Sequence, residues 1–160
     1  MTENEPLELY SCVVRPEWID YNGHMNVAYY LLAFDYATDA FFDHIGLDQA
    51  YKTEANSTTF ALDINISYLE EVLEGDPLRF TTQLLDADEK RLHFFHSMYH
   101  ADKGYLSATN EILSVHISLE NRRVAPMRSD LWRSVATLLD RQNTLPTPKQ
   151  VGRPIGIRRK

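Results

Sequence analysis

An α+β fold, with one long helix lying on an antiparallel sheet, is what three features of this chain predict. Helical periodicity comes early, where Val27, Tyr30, Leu31, Phe34, Thr38, Phe41 and Ile45 recur at three- and four-residue intervals. From Phe60 the period drops to two: Phe60, Leu62, Ile64, Ile66 and Tyr68 alternate with Ala61, Asp63, Asn65 and Ser67, as a half-buried strand requires. Further strand-like runs then follow with short connections between them, which suits hairpins.

Each element has its own warrant. Leu7 to Val14 reads as a first strand ended by Arg15-Pro16, because proline removes a donor and holds its neighbour extended. The long helix starts after Asn26 and stops at Gly46. Gly75-Asp76-Pro77 closes the period-two strand, and Leu78, Phe80, Thr82 and Leu84 open the next. A hairpin is expected at Asp86 to Lys90. Arg91 to Ala101 and Tyr105 to Leu119 flank the turn Asp102-Lys103-Gly104, and a parity change near Ile112 calls for a bulge or twist. Ser129 is the expected N-cap of a second helix with a stripe of Leu131, Val135, Leu138 and Leu139. Beyond it, Pro146, Pro148 and Pro154 rule out helix. The chain therefore divides into one domain over 1–143 and a basic, proline-containing tail over 144–160.

Composition narrows the function. With 160 residues, 44% of them apolar, the chain suits one domain burying roughly 70% of its unfolded surface. Met1 to Pro6 is an acidic arm without the basic and apolar parts of a signal peptide, and no run reaches the roughly 20 apolar residues of a membrane span. A cytoplasmic protein without a membrane partner is expected. The lone Cys12 excludes an internal disulfide and reads as a core thiol. Net charge is −7, and the tail contributes Lys149, Arg153, Arg158, Arg159 and Lys160 with no acid, so the body carries −12. Such a body repels nucleic acid.

The chemistry concentrates in Asp20-Tyr21-Asn22-Gly23-His24-Met25-Asn26. Asp20, Asn22 and His24 place a carboxylate, an amide and an imidazole at alternate positions before the helix. The start of a helix also offers unpaired N–H groups, so the backbone of Asn26 and Val27 is a candidate oxyanion site. The same residues also suit turn hydrogen bonds and a helix cap. Three histidines, His93, His96 and His100, lie close in sequence, but on a strand His93 points away from the other two; no metal is expected. No glycine-rich phosphate loop is present.

The frame Val14 to Asn26, the aromatic-rich helix behind it, and Tyr68-Leu69 followed by Glu74-Gly75-Asp76-Pro77-Leu78 resemble the hotdog-fold acyl-CoA thioesterases of the 4-hydroxybenzoyl-CoA thioesterase type. The resemblance spans about residues 7 to 120. It implies a hotdog, a sheet of about five antiparallel strands wrapped around the long helix, with active sites at a dimer interface; the C-terminal helix read from the sequence is additional to it. The family's nucleophile or general base falls on Asp20. The Asp-x-Asn-x-His order also resembles acyl-carrier-protein thioesterases, which places catalytic roles on Asp20, Asn22 and His24. A narrower likeness, carried by Trp18 to Met25, Ala37-Thr38-Asp39-Ala40 and Asp88-Glu89-Lys90-Arg91-Leu92-His93, is to the betainyl-CoA thioesterases of carnitine breakdown.

The expected activity is hydrolysis of a small acyl-CoA to free acid and CoA, with no cofactor, because CoA is part of the substrate. A hotdog enoyl-CoA hydratase and a non-catalytic acyl-CoA-binding module are the alternatives; in the hydratase pattern a glycine precedes the aspartate, and here Ile19 does. Trp18, Tyr21, Tyr29 and Tyr30 are candidates to hold a quaternary ammonium by cation–π attraction. Thr58 and Thr59 are candidates for a hydroxyl presented by a partner subunit. Lys90 and Arg91 at a hairpin, and the basic tail, are candidate partners of the CoA phosphates. Unpaired sheet edges make a homodimer or tetramer the expected assembly.

Overall fold

A computed structural model describes residues 5–159; of the acidic arm, residues 1–4 lie outside the described residues. Strand β1 (Leu7–Val13) leads through a 3₁₀ turn at Pro16–Trp18 into α1 (Val27–Ile45). Then come α2 (Gln49–Ala55), β2 (Ser57–Tyr68), β3 (Pro77–Asp88), β4 (Arg91–His100), β5 (Leu106–Ser118), the two-residue β6 (Arg123–Val124) and α3 (Ser129–Gln142). The sheet runs β1-β3-β4-β5-β2, all antiparallel, with β6 extending β5. This is the hotdog arrangement.

Helix α1 forms where the spacing predicts. Asn26 caps it by accepting from Ala28 N–H at 2.9 Å, and Gly46 ends it at φ 91°, a conformation that favours glycine. Its buried face is Tyr30, Ala33, Phe34, Ala37, Thr38, Phe41 and Ile45, packed on the inner side of β3, β4 and β5. Val27 and Leu31 belong to the apolar spacing yet are 56% and 41% exposed. The stripe is wider than the core it covers.

Three details differ from the expectations. Ser129 is the first residue of α3 and not its cap; Arg128 holds the cap position without a side-chain bond, its guanidinium taken by Asp130. The parity change in β5 is met by a register shift across from it, between Ala61 and Asp63 of β2, while Ile112 pairs regularly with Phe94. The short α2 was not foreseen, since seven residues carry too little periodicity. Its Asp48 cap, accepting from Tyr51 N–H at 2.8 Å, is the local signal it left.

The tail is neither free nor helical. It crosses the outer sheet face at right angles to the strands, along the register row Gln83, Phe95, Glu111, Asn65. Glu111 Oε2 accepts from Gly152 N–H at 2.8 Å, and Asn65 Nδ2 donates to the Arg153 carbonyl at 2.9 Å. Phe95 is thereby buried on a face that would otherwise be open.

Candidate active site

The loop ahead of α1 is a small closed hairpin. Ile19 and Met25 form a bridge, Asp20 N–H donates to the His24 carbonyl at 3.1 Å, and Gly23 N–H returns to the Asp20 carbonyl at 3.0 Å. Gly23 takes φ 81°, which lets a three-residue loop close with one residue in the left-handed region. Asp20 and His24 therefore face each other across the neck, while Tyr21 and Asn22 occupy the tip. Below, Met25 and Trp18 are buried at 0% and 2% exposure, and Met25 N–H donates to Val72 O at 3.0 Å. The neck is anchored to the core and the tip is open to solvent.

Polar groups in the loop are only partly used. Asp20 Oδ1 accepts from Asn22 N–H at 2.8 Å, and Oδ2 has no bonded partner among the described residues. His24 Nδ1 lies 3.1 Å from the Met25 carbonyl, so in the neutral ring the proton sits on Nδ1 and Nε2 carries a lone pair. A neutral His24 thus accepts a proton at Nε2. It cannot polarise a carbonyl by donating from that atom.

The expected oxyanion pair is reduced to one group. Asn26 N–H is spent on the Trp18 carbonyl at 2.8 Å, the bond that closes the neck, and Ala28 N–H is spent on the Asn26 side chain. Among the described residues nothing accepts from Val27 N–H. It is the donor left at the positive end of α1.

The aromatic candidates separate in the same way. Trp18 is a core residue, stacked on Tyr29 at 5.9 Å between centroids, with the Arg15 guanidinium 5.2 Å over its ring. An intramolecular cation already holds that face. Tyr30 is 4% exposed and packs edge-on against Tyr68. Neither ring is open to a ligand in a single protomer. Tyr21 is 97% exposed and Tyr29 half-buried, so these two stay accessible. Sequence reasoning missed Tyr68, whose hydroxyl donates to the Val27 carbonyl at 3.1 Å and ties the end of β2 to the start of α1. Its position as the last member of the period-two run was the available signal.

The remaining candidates lie elsewhere in the protomer. Lys90 and Arg91 sit on the β3–β4 hairpin, and β4 runs from Arg91 to Met98 before reaching the rows beneath the Asp20 loop. Seven residues of strand put them on the order of 23 Å away. Arg91 is also engaged, its Nε donating to Asp88 at 2.8 Å. Thr58 and Thr59 begin β2, at the end remote from Tyr68. A cleft of about 600 Å³ on the outer face, beside Asp63, Asp86, Arg91 and Glu111, does not touch the Asp20 loop.

The inner face holds a second polar group, buried beneath α1. Thr38 hydroxyl donates to the Phe34 carbonyl, so its oxygen accepts from His96 Nε2–H at 2.9 Å, and Thr82 hydroxyl donates to Nδ1 at 2.8 Å. Burial holds His96 neutral, its pKa lowered to about 3. As strand parity requires, His93 points to the opposite face, 2.8 Å from Glu111. Burial likewise pushes the Cys12 thiol up, away from nucleophilic character.

A curled antiparallel sheet around one helix, with an acid-bearing loop at the helix start, defines a hotdog thioesterase. Residues 14–135 match the family model described as "Thioesterase-like superfamily", and the chain belongs to that family. It is a thioester hydrolase. The chain is 41% identical to a betainyl-CoA thioesterase of Pseudomonas aeruginosa over 96% of this chain and 97% of that one. It is 36% identical to the bifunctional L-carnitine dehydrogenase/betainyl-CoA thioesterase of Ruegeria pomeroyi, covering 94% of this chain and 30% of that one. Among solved structures, a Staphylococcus aureus protein in complex with CoA superposes with TM-score 0.88 at 30% identity, covering 96% of this chain and 97% of that one. No described helix is long and apolar enough to cross a membrane.

Proposed function

We propose that this thioesterase hydrolyses a small acyl-CoA, betainyl-CoA foremost, in a site completed by a second copy of the chain. The identity of 41% to a betainyl-CoA thioesterase, end to end in both chains, carries the choice of substrate. The thioester carbonyl docks with its oxygen at Val27 N–H, where negative charge develops beside the helix terminus. Asp20 either takes a proton from water as it attacks the carbonyl carbon, or attacks directly to give an anhydride that water then opens. In both routes the C–S bond breaks, the sulfur leaves as CoA thiol after protonation, and water supplies the oxygen of the acid. Asn22 at the tip orients water or the carboxylate. His24, with its free Nε2, accepts a proton or holds the water.

Assembly supplies the missing wall. Strand β2 is a sheet edge carrying Phe60, Leu62 and Ile64 at 41–60% exposure, continuous through Tyr68 with exposed Val27 and Leu31 on α1. An apolar edge of twelve residues is a template for a second strand. Antiparallel pairing of two β2 strands sets the start of one beside the end of the other. Thr58 and Thr59 of the second copy then approach Tyr68 and Val27, with its Lys90 and Arg91 farther out on the same side, where CoA phosphates extend. Tyr21 and Tyr29 present aromatic faces to the trimethylammonium of a betainyl group.

The reading is tested by CoA thiol release from a panel of betainyl, short aliphatic, long aliphatic and aromatic acyl-CoA esters. Selective turnover of betainyl-CoA is the expected result. Turnover confined to another class replaces the substrate; silence with hydration of an enoyl-CoA points to a hydratase, and silence in both to a binding module.

A further inference from the structure

The tail leaves the sheet with its most apolar residues uncovered. After the Arg153 carbonyl is fixed to Asn65 on the edge strand, Ile155 and Ile157 are 98% and 83% exposed, and Arg158 and Arg159 follow. The outer face offers a cleft of complementary character. Its volume is about 600 Å³; Asp63, Asp86, Asp88 and Glu111 outnumber Arg91, and Leu113, on the same face as Asp63 and His93, provides apolar lining. The protomer's own Ile155 sits at the mouth of this cleft without being covered by it.

We infer that residues 155–159 are an exchanged arm, docking in the outer-face cleft of a second copy. The inference rests on the β2-to-β2 dimer proposed above, and reach and register both favour it. Five extended residues span at most about 18 Å. Strands lie about 4.8 Å apart, so β2, β5 and β4 of the second copy fall roughly 5, 10 and 15 Å beyond the exit point. Those three strands carry Asp63, Leu113, Glu111 and His93 of the cleft. Pairing about the middle of β2 sets Asn65 opposite the second copy's Phe60, so the arm arrives on the hairpin side of the cleft, clear of the row that the second copy's own tail crosses. Isoleucine side chains then meet Leu113, and guanidinium groups meet the Asp63 and Asp86 carboxylates.

Two measurements test this on the full chain. In a Cys12→Ser background, the Leu113→Cys/Ile157→Cys variant is oxidised and run without reductant. A covalent dimer is expected, whereas a cross-link confined to single chains places the arm in cis and overturns the inference. Sedimentation compares the full chain with one lacking residues 155–160. Truncation is expected to raise the dimer dissociation constant about tenfold or more at low salt, with the difference shrinking by 0.5 M salt as the charge contacts are screened. An unchanged constant overturns the exchange while leaving the β2 dimer standing; a full-length chain that sediments as a monomer overturns the dimer and the arm together.

Discussion

At the scale of single residues, Asp20 and His96 illustrate opposite uses of a polar side chain. Asp20 sits at the neck of an anchored loop with one carboxylate oxygen bonded to Asn22 N–H. Asparagine is isosteric and retains that acceptor, so Asp20→Asn preserves the loop and removes the charge. Thiol release is expected to fall by about 10²-fold or more, with thermal midpoint and sedimentation unchanged. Unchanged hydrolysis removes Asp20 from the mechanism. His96 is buried and neutral, with its folded pKa lowered to about 3 while the unfolded chain titrates near 6.5. Between those values the unfolded state binds the extra proton, so stability is full above about pH 6.5 and declines as pH falls toward 3. The slope from this one group is at most about 1.4 kcal/mol per pH unit. Urea midpoints at pH 7 and pH 5 check it, and a His96→Gln variant should lose this part of the pH dependence. His116 shifts in the same direction by burial and adds to the same trend.

Between elements, the bonds that matter most are few and buried. Tyr51 of α2 is the clearest. Because His116 Nδ1–H donates to the Ala125 carbonyl at 2.8 Å, Nε2 is an acceptor, and the Tyr51 hydroxyl donates to it at 3.0 Å. The same oxygen accepts from Arg128 N–H at 3.0 Å. One phenol thus joins α2, β5 and the start of α3. Tyr51→Phe leaves His116 Nε2 and an amide without partners, and is expected to cost about 1–3 kcal/mol in denaturant unfolding with catalysis unaffected. A loss below about 0.5 kcal/mol would mean that water replaces the hydroxyl.

The whole molecule is built so that its sheet closes on one side and stays open on the other. α1 covers the inner face, the tail straps the outer face, and β1 is the short edge, but β2 keeps an unpaired edge beside exposed apolar side chains. Leu62 is 60% exposed in the protomer and contributes little to its core, so Leu62→Lys is expected to leave far-UV circular dichroism intact. Sedimentation should then show monomers, and thiol release should drop with assembly because the second copy's wall of the site is gone. A monomer with full activity would confine the site to one chain.

Local patterns by themselves determined the long helix with its Asn26 and Gly46 ends, the period-two strand, the hairpins and the loop holding Asp20, Asn22 and His24, since capping, turn closure and side-chain periodicity act over a few residues. They also marked both helix-start N–H groups and four aromatics as functional candidates. Tertiary structure decided among them: the Trp18 carbonyl consumes Asn26 N–H, Arg15 and Tyr29 enclose Trp18, and Tyr30 packs into the core. It likewise decided that the apolar members of β2 face an open edge and that the basic tail lies across the sheet. Periodicity records that a side chain is apolar and which face it shares. Which faces are covered depends on residues far away in sequence, and so does which hydrogen-bonding groups are left free for chemistry.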